Sequence, residues 1–144
     1  MAGHPGVDVS PLAKVASGGE LSRIGLAIFT LTSRNTSVPT LIFDEVDSGV
    51  GGATGEVVGR MMKQLGQTRQ VLCVTHLPQV AACGDHHLKV EKVSDGIETV
   101  SYLRELNPTQ RVEEIARMLG GLLITQKTKV LAEEMVKANL SQEE

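Results

Sequence analysis

Apolar residues recur at helical spacing through Leu21, Ile24, Ile28 and Leu31, which predicts a helix with that stripe turned to the core. Arg34-Asn35-Thr36-Ser37 interrupts the pattern. Beyond Pro39 the unbroken apolar run from Thr40 to Phe43 (TLIF) predicts a buried strand, followed by the polar, glycine-rich stretch DEVDSGVGG. Val57, Val58, Met61, Met62 and Leu65 mark one face of a second helix ended by Gly66, and VLCVT (Val71 to Thr75) reads as a second buried strand. Two continuous apolar strands joined by an amphipathic helix make a βαβ unit. They predict a parallel pair with a right-handed crossover.

Past His76 the pattern changes. LPQVAAC suits a short helix, and HLKVEKV and IETVSYL alternate around Ser94-Asp95-Gly96 as a β-hairpin does. A further helix carries Val112, Ile115, Ala116 and Leu119 before Gly120-Gly121. The last runs from about Thr125 to Leu140, with Val130, Leu131, Met135 and Ala138 as its apolar positions. The first 11 residues hold two Pro and two Gly without helical period and read as an extended leader; SQEE at 141–144 reads as a disordered acidic tail. The expected organisation is therefore a leader at 1–11, one α/β lobe at 12–140 and the tail. No internal repeat is present.

Composition adds constraints. At 144 residues one domain of modest core is expected, and with aromatics at 2% that core must be aliphatic. A net charge of −3 and the lack of any Lys/Arg run give no electrostatic footprint for nucleic acid, so DNA contact is not evident in this segment. Cys73 and Cys83 form no CxxC pair, and Cys73 within VLCV reads as a small core residue. No signal peptide opens the chain and no apolar stretch approaches the roughly 20 residues that span a bilayer. The cytoplasm is the expected compartment, with no membrane partner.

Four features carry chemistry. Ser17-Gly18-Gly19-Glu20 has the form of a capping box, while its glycines would also let backbone N–H groups approach a phosphate at a helix N-terminus. Asp44-Glu45 follow a buried strand directly, at the end where open α/β sheets bind ligands. There one carboxylate can help hold Mg²⁺ and the next polarise a water, or the strand can simply exit into a polar loop. His76 ends the second strand as Asp44 ends the first, so the two should open on one crevice. Asp47 with Ser48-Gly49-Val50-Gly51-Gly52 forms an acidic loop whose glycines can equally serve the turn alone.

In order, over about 60 residues, these features resemble the signature motif, Walker B, D-loop and H-loop of ABC-type ATPases. The wording narrows the resemblance. PLAKVASGGELSRI (Pro11 to Ile24), FDEVDSGVGG (Phe43 to Gly52), VLCVTHLPQVAA (Val71 to Ala82) and RMLGG (Arg117 to Gly121) resemble the RecN family of SMC-like, ABC-type ATPases in bacterial DNA repair, from about Pro11 to Met135. The resemblance implies a partial P-loop NTPase fold. It would be the C-terminal half of an ABC ATPase head, with a mainly parallel sheet flanked by helices, a β-hairpin after the H-loop and C-terminal helices.

It also implies roles. Ser17, Gly18 and Gly19, in a motif completed by Glu20, would bind the γ-phosphate of ATP held by a partner head. Asp44 would support Mg²⁺ through water, and Glu45 would be the catalytic base or water-orienting acid. Asp47 would cross the interface of a head homodimer, and His76 would contact the γ-phosphate within its own head. DNA would be engaged by the intact, nucleoid-associated protein in double-strand break repair and recombination.

One departure is large. The chain contains no GxxxxGKS/T, and its nearest cluster, Gly51-Gly52-Ala53-Thr54-Gly55, lacks a lysine; no Q-loop or heptad run is found either. Both ATP and Mg²⁺ would need the Walker A lobe, so the chain alone is expected neither to bind ATP tightly nor to hydrolyse it. A sheet edge should also stand unpaired. The alternatives are a nucleotide-binding fragment of an ABC transporter, or a short natural partner that lends SGGE to another head. Transporter ATPases usually have Gln where this chain has Glu20 and Pro where it has Val46.

Overall fold

A computed structural model describes residues 17–32, 38–96, 98–121 and 123–140. The expected leader, the expected tail and the break at Arg34 to Ser37 lie outside them. The chain divides into two compact units, Met1–Val80 and Ala81–Glu144.

In the first unit, β1 (Thr40–Phe43) pairs in parallel with β2 (Gln70–Cys73), in register from Thr40 opposite Gln70 to Phe43 opposite Cys73. Two helices, α1 (Gly18–Thr32) and α2 (Gly52–Gly66), complete it. Leu26, Leu41, Phe43, Val46, Val58, Met62, Leu65 and Val80 form its core, with Phe29, Met61, Val71, Cys73 and Leu77 packed against them. The parallel β–α–β arrangement and the nearly aliphatic core agree with the sequence. Burial pushes the Cys73 thiol up to about 12, with the Asp47 and Asp44 carboxylates adding to the effect, as suits an inert core thiol.

The buried faces differ from those expected. On α1 the inward residue is Leu26, 1% exposed, whereas Leu31 is 86% exposed and Leu21 and Ile28 are also exposed. The helix is apolar around much of its circumference, so period alone cannot select a face. Selection comes from Gly19 and Arg23, which dock on the loop after β1 and bring Leu26, on the same helical face, inward. On α2, Gly55, Val58, Gly59, Met62 and Leu65 turn in, while Val57 is exposed.

The strands, expected to be buried on both faces, are covered on one. Leu41 and Phe43 are buried, but Ile42 is 71% exposed and Leu72 and Val74 are exposed beside it. Among the described residues β1 and β2 pair only with each other. The strand after α2 also ends sooner than expected: Val74 N still donates to Phe43 O, but Thr75 lies outside the strand.

The chain passes into the second unit at the end of a short helix, α3 (Pro78–Ala81). β3 (Leu88–Ser94) and β4 (Thr99–Glu105) form the expected antiparallel hairpin, from Leu88 opposite Glu105 to Ser94 opposite Thr99. Gly96, at φ +90°, supplies a left-handed conformation at the turn. α4 (Pro108–Gly120) and α5 (Gln126–Leu140) pack through Ala82, Ile115, Ala116, Ala132 and Val136. Asn107 caps α4 through a reciprocal capping box with Gln110, and Pro108 occupies its first turn. On α5, Val130, Leu131 and Ala138 are exposed, contrary to expectation. Small Ala132 and Val136 face in instead. No described helix is long and apolar enough to cross a membrane.

Two charged side chains hold the second unit together. The Arg111 guanidinium, 6% exposed, donates to the carbonyls of Ala81, Ala82, Gly84 and Asp85. These are the oxygens that a four-residue helix and its exit leave without helical donors. Glu114, also buried, accepts from Arg117 at 2.5 Å and pairs with Lys89 at 2.9 Å. The Arg117 hydrogen bond, followed by that from Lys89, holds the Glu114 carboxyl at about 2 against the opposing effect of burial.

Candidate functional site

The N-terminus of α1 closes as a capping box. Glu20 N donates to Ser17 Oγ at 3.3 Å, and Ser17 N donates to Glu20 Oε2 at 2.8 Å. The Ser17 hydroxyl donates to the same Glu20 oxygen at 3.1 Å. These bonds from Ser17 lower the Glu20 carboxyl below its ordinary range. The structural role of SGGE is thus realised within this chain. The helix N-terminus retains its positive dipole end beside Gly18 and Gly19.

The loop after β1 packs against that terminus. A methyl on Gly19 would meet Ser48 Cβ at 2.9 Å and the backbone oxygen of Glu45 at 3.0 Å, so only glycine lets helix and loop approach this closely. A methyl on Gly18 would lie 3.7 Å from Glu45 Oε2, which places that carboxylate beside the helix N-terminus. Glu45 has φ +54°, a left-handed conformation rare for a residue with a Cβ. Such strain persists where the surroundings fix it. The fixing groups are visible: Ser22 Oγ donates to Asp44 O at 3.0 Å, and Arg23 donates to Val46 O at 3.2 Å and Ser48 O at 2.7 Å.

Asp47 turns into its own unit. It is 1% exposed, and its Oδ2 accepts from the Thr75 hydroxyl, from His76 N at 2.9 Å and from Leu77 N at 3.1 Å. Burial works to raise its pKa, but the Thr75 hydroxyl and the two backbone donors outweigh it and hold the carboxyl below its ordinary value. His76 Nδ1 lies 3.2 Å from the same oxygen, with its side chain 71% exposed. The loop after β1 is therefore fastened to α1 through Asp44, Val46 and Ser48 and to the exit of β2 through Asp47.

Ser17 to Glu20, Asp44, Glu45, Asp47 and His76 thus all lie in the first unit, at the α1 N-terminus and the C-terminal ends of β1 and β2. Direct contacts join Gly19 and Gly18 to Glu45, and Asp47 to His76. Asp44 and Glu45 are exposed. Three residues that hold this arrangement, Ser22, Arg23 and Thr75, carry no motif signal of their own. Arg23 could have been found from its spacing, since it lies four residues after Gly19 on one helical face.

Among the described residues no group of three or more His, Cys, Asp or Glu is placed to hold a metal by itself. The Asp44 and Glu45 carboxylates and the α1 N-terminus place oxygen acceptors and backbone N–H donors at one end of the first unit.

Comparisons with known proteins agree with the family resemblance. No protein-family model matches the chain. The DNA repair protein RecN of Vibrio cholerae is 50% identical over 135 residues, covering 94% of this chain and 24% of that protein. The RecN of Haemophilus influenzae is 52% identical over 131 residues, 91% of this chain and 24% of the relative. That of Deinococcus radiodurans is 52% identical over 118 residues, 82% and 21% respectively. The chain spans about a quarter of the length of these curated relatives. Its fold resembles a solved chain from work on ATP-driven dimerization and DNA-stimulated activation of SMC ATPases. The TM-score is 0.56 at 23% identity, covering 82% of this chain and 70% of that one. That likeness is one of fold.

Proposed function

With RecN-like sequence along nearly its whole length as premise, we propose that this chain works as part of the ATPase head of a RecN-like DNA repair protein. In that reading it contributes the signature, Walker B, D-loop and H-loop elements to a pair of heads closing on ATP, in the cytoplasm and at the nucleoid. The observation that carries the reading is the fastening of the loop after β1 to both the SGGE terminus of α1 and the exit of β2.

The chain's own residues divide the work. The α1 N-terminus at Ser17, Gly18 and Gly19 offers backbone N–H groups and dipole to a phosphate oxyanion of the opposing head. Asp44 offers a carboxylate toward the magnesium ion's water shell. Glu45, held in its left-handed conformation, orients the attacking water and accepts its proton, and His76 contacts the phosphoryl end. When bound, the triphosphate would supply the transferable phosphoryl group and magnesium would neutralise its charge.

Two measurements test this. In a full-length RecN-like protein carrying these residues, Glu45→Gln is expected to lower ATP turnover by about 100-fold or more while nucleotide binding persists. Turnover unchanged by that substitution would sink the assignment. The 144-residue chain alone, having no GxxxxGKS/T, is expected to show no magnesium-dependent hydrolysis. Recovery of activity on mixing it with a head whose P-loop is intact and whose signature is disabled would favour donation in trans.

A further inference from the structure

Asp47 is the buried carboxylate of the strand-end cluster, and the groups around it are unequal. Its Oδ2 gathers the Thr75 hydroxyl and the backbone N–H groups of His76 and Leu77, while Oδ1 has no hydrogen-bond partner among the described residues. The same Oδ2 lies 3.2 Å from His76 Nδ1. A carboxylate this close to a ring nitrogen repels a lone pair and attracts a proton. An imidazole carries its single neutral-state proton on one nitrogen or the other, and the environment of each decides which. The Nδ1 position faces buried negative charge; the rest of the ring is open, with the His76 side chain 71% exposed.

We propose that Asp47 is a positioning residue that fixes the tautomer of His76, keeping the proton on Nδ1 and turning a bare Nε2 outward as an acceptor. Three bonds to the chain from Thr75 to Leu77 hold the backbone of His76 still while the ring contact selects the proton's place. The arrangement works in cis: a residue of the loop after β1 sets the face that a residue beyond the end of β2 shows to solvent. It follows that the outward nitrogen of neutral His76 receives a hydrogen bond rather than donating one. It suits a donor such as a hydroxyl, or a water that bridges to the phosphoryl end.

The inference rests on the proposed role of His76 for its functional meaning but not for its test. Long-range ¹H–¹⁵N spectra of the 144-residue chain, in mildly alkaline solution and assigned by the signals lost in His76→Gln, report the tautomer without nucleotide. The Nδ1–H form is expected to exceed the Nε2–H form by about twofold, the scale of a nearby carboxylate charge acting on the ring without an aligned hydrogen bond. A majority of Nε2–H in the unaltered chain would overturn the proposal, whatever the variants do. In Asp47→Asn the ratio should move toward that of free histidine, and in Thr75→Val, which keeps the carboxylate, it should stay put. An Asp47→Asn chain that folds and retains the full Nδ1–H excess would also overturn it. Hydrolysis by a full-length protein that survives His76→Ala would remove the catalytic role of His76 and leave the tautomer result standing.

Discussion

The unit ending at Val80 buries an anion and gathers donors around it; the unit beginning at Ala81 buries a cation and gathers acceptors. Asp47 is 1% exposed amid the Thr75 hydroxyl and two backbone N–H groups, and Arg111 is 6% exposed amid four carbonyls. Both obey the same requirement, that a buried charge be compensated by hydrogen bonds. The difference lies in what the compensating groups do next. Arg111 ties off the carbonyls of Ala81, Ala82, Gly84 and Asp85 within its own unit. The groups around Asp47 include the backbone of His76, whose ring stands in solvent, so the same kind of compensation there orients a side chain for use. A buried charge points toward function when its partners lead outward.

This contrast can be broken or sharpened by measurement. The largest effect is expected at Arg111: Arg111→Ala strands four carbonyls and should cost about 4 kcal/mol of stability in chemical denaturation. A loss below about 1 kcal/mol would mean that the cation is not structural. Next comes α1, where Leu26→Ala should cost about 3 kcal/mol and Leu31→Ala less than about 0.5 kcal/mol. Equal losses would restore the Leu21–Ile24–Ile28–Leu31 stripe as the buried one.

The smallest is a pH effect. Glu114 has a folded-state pKa of about 2, below the ordinary glutamate value of 4.5. Its contribution is therefore present above about 4.5 and is lost as pH falls from there through about 2. Because Arg117 is half exposed, the amount lost should be about 2 kcal/mol rather than the full linkage value. Glu114→Gln should flatten that part of the stability profile, and an unchanged acid limb would show that the ion pairs with Arg117 and Lys89 contribute nothing.

Elements were legible in the sequence where pattern and chemistry coincided. The parallel strands, the helix between them and the hairpin follow from runs of apolar residues bounded by Gly, Pro and Asp. The buried sides of α1 and α5 did not follow, because both helices carry apolar residues on more than one side, and the packing face is selected by contacts distant in sequence. Leu26 is chosen by Arg23 reaching Val46 and Ser48, more than 20 residues away. The strand-end residues were legible as motifs, but their connections were not. That Asp47 turns inward to Thr75, His76 and Leu77 depends on a contact between the loop after β1 and the exit of β2, and spacing along one strand cannot reveal it.

The left-handed backbone at Glu45 sets two demands against each other at one position. A glycine would adopt φ +54° freely and relieve strain of about 1 kcal/mol or more, but it would remove the carboxylate that lies beside the α1 N-terminus. Any carboxylate there must coexist with the strain, so stability and chemistry pull residue 45 in opposite directions. Variants selected for a more stable chain should drift toward glycine at this site, and variants selected for turnover should return to an acid. The preferred residue at position 45 would then record which of the two demands prevailed.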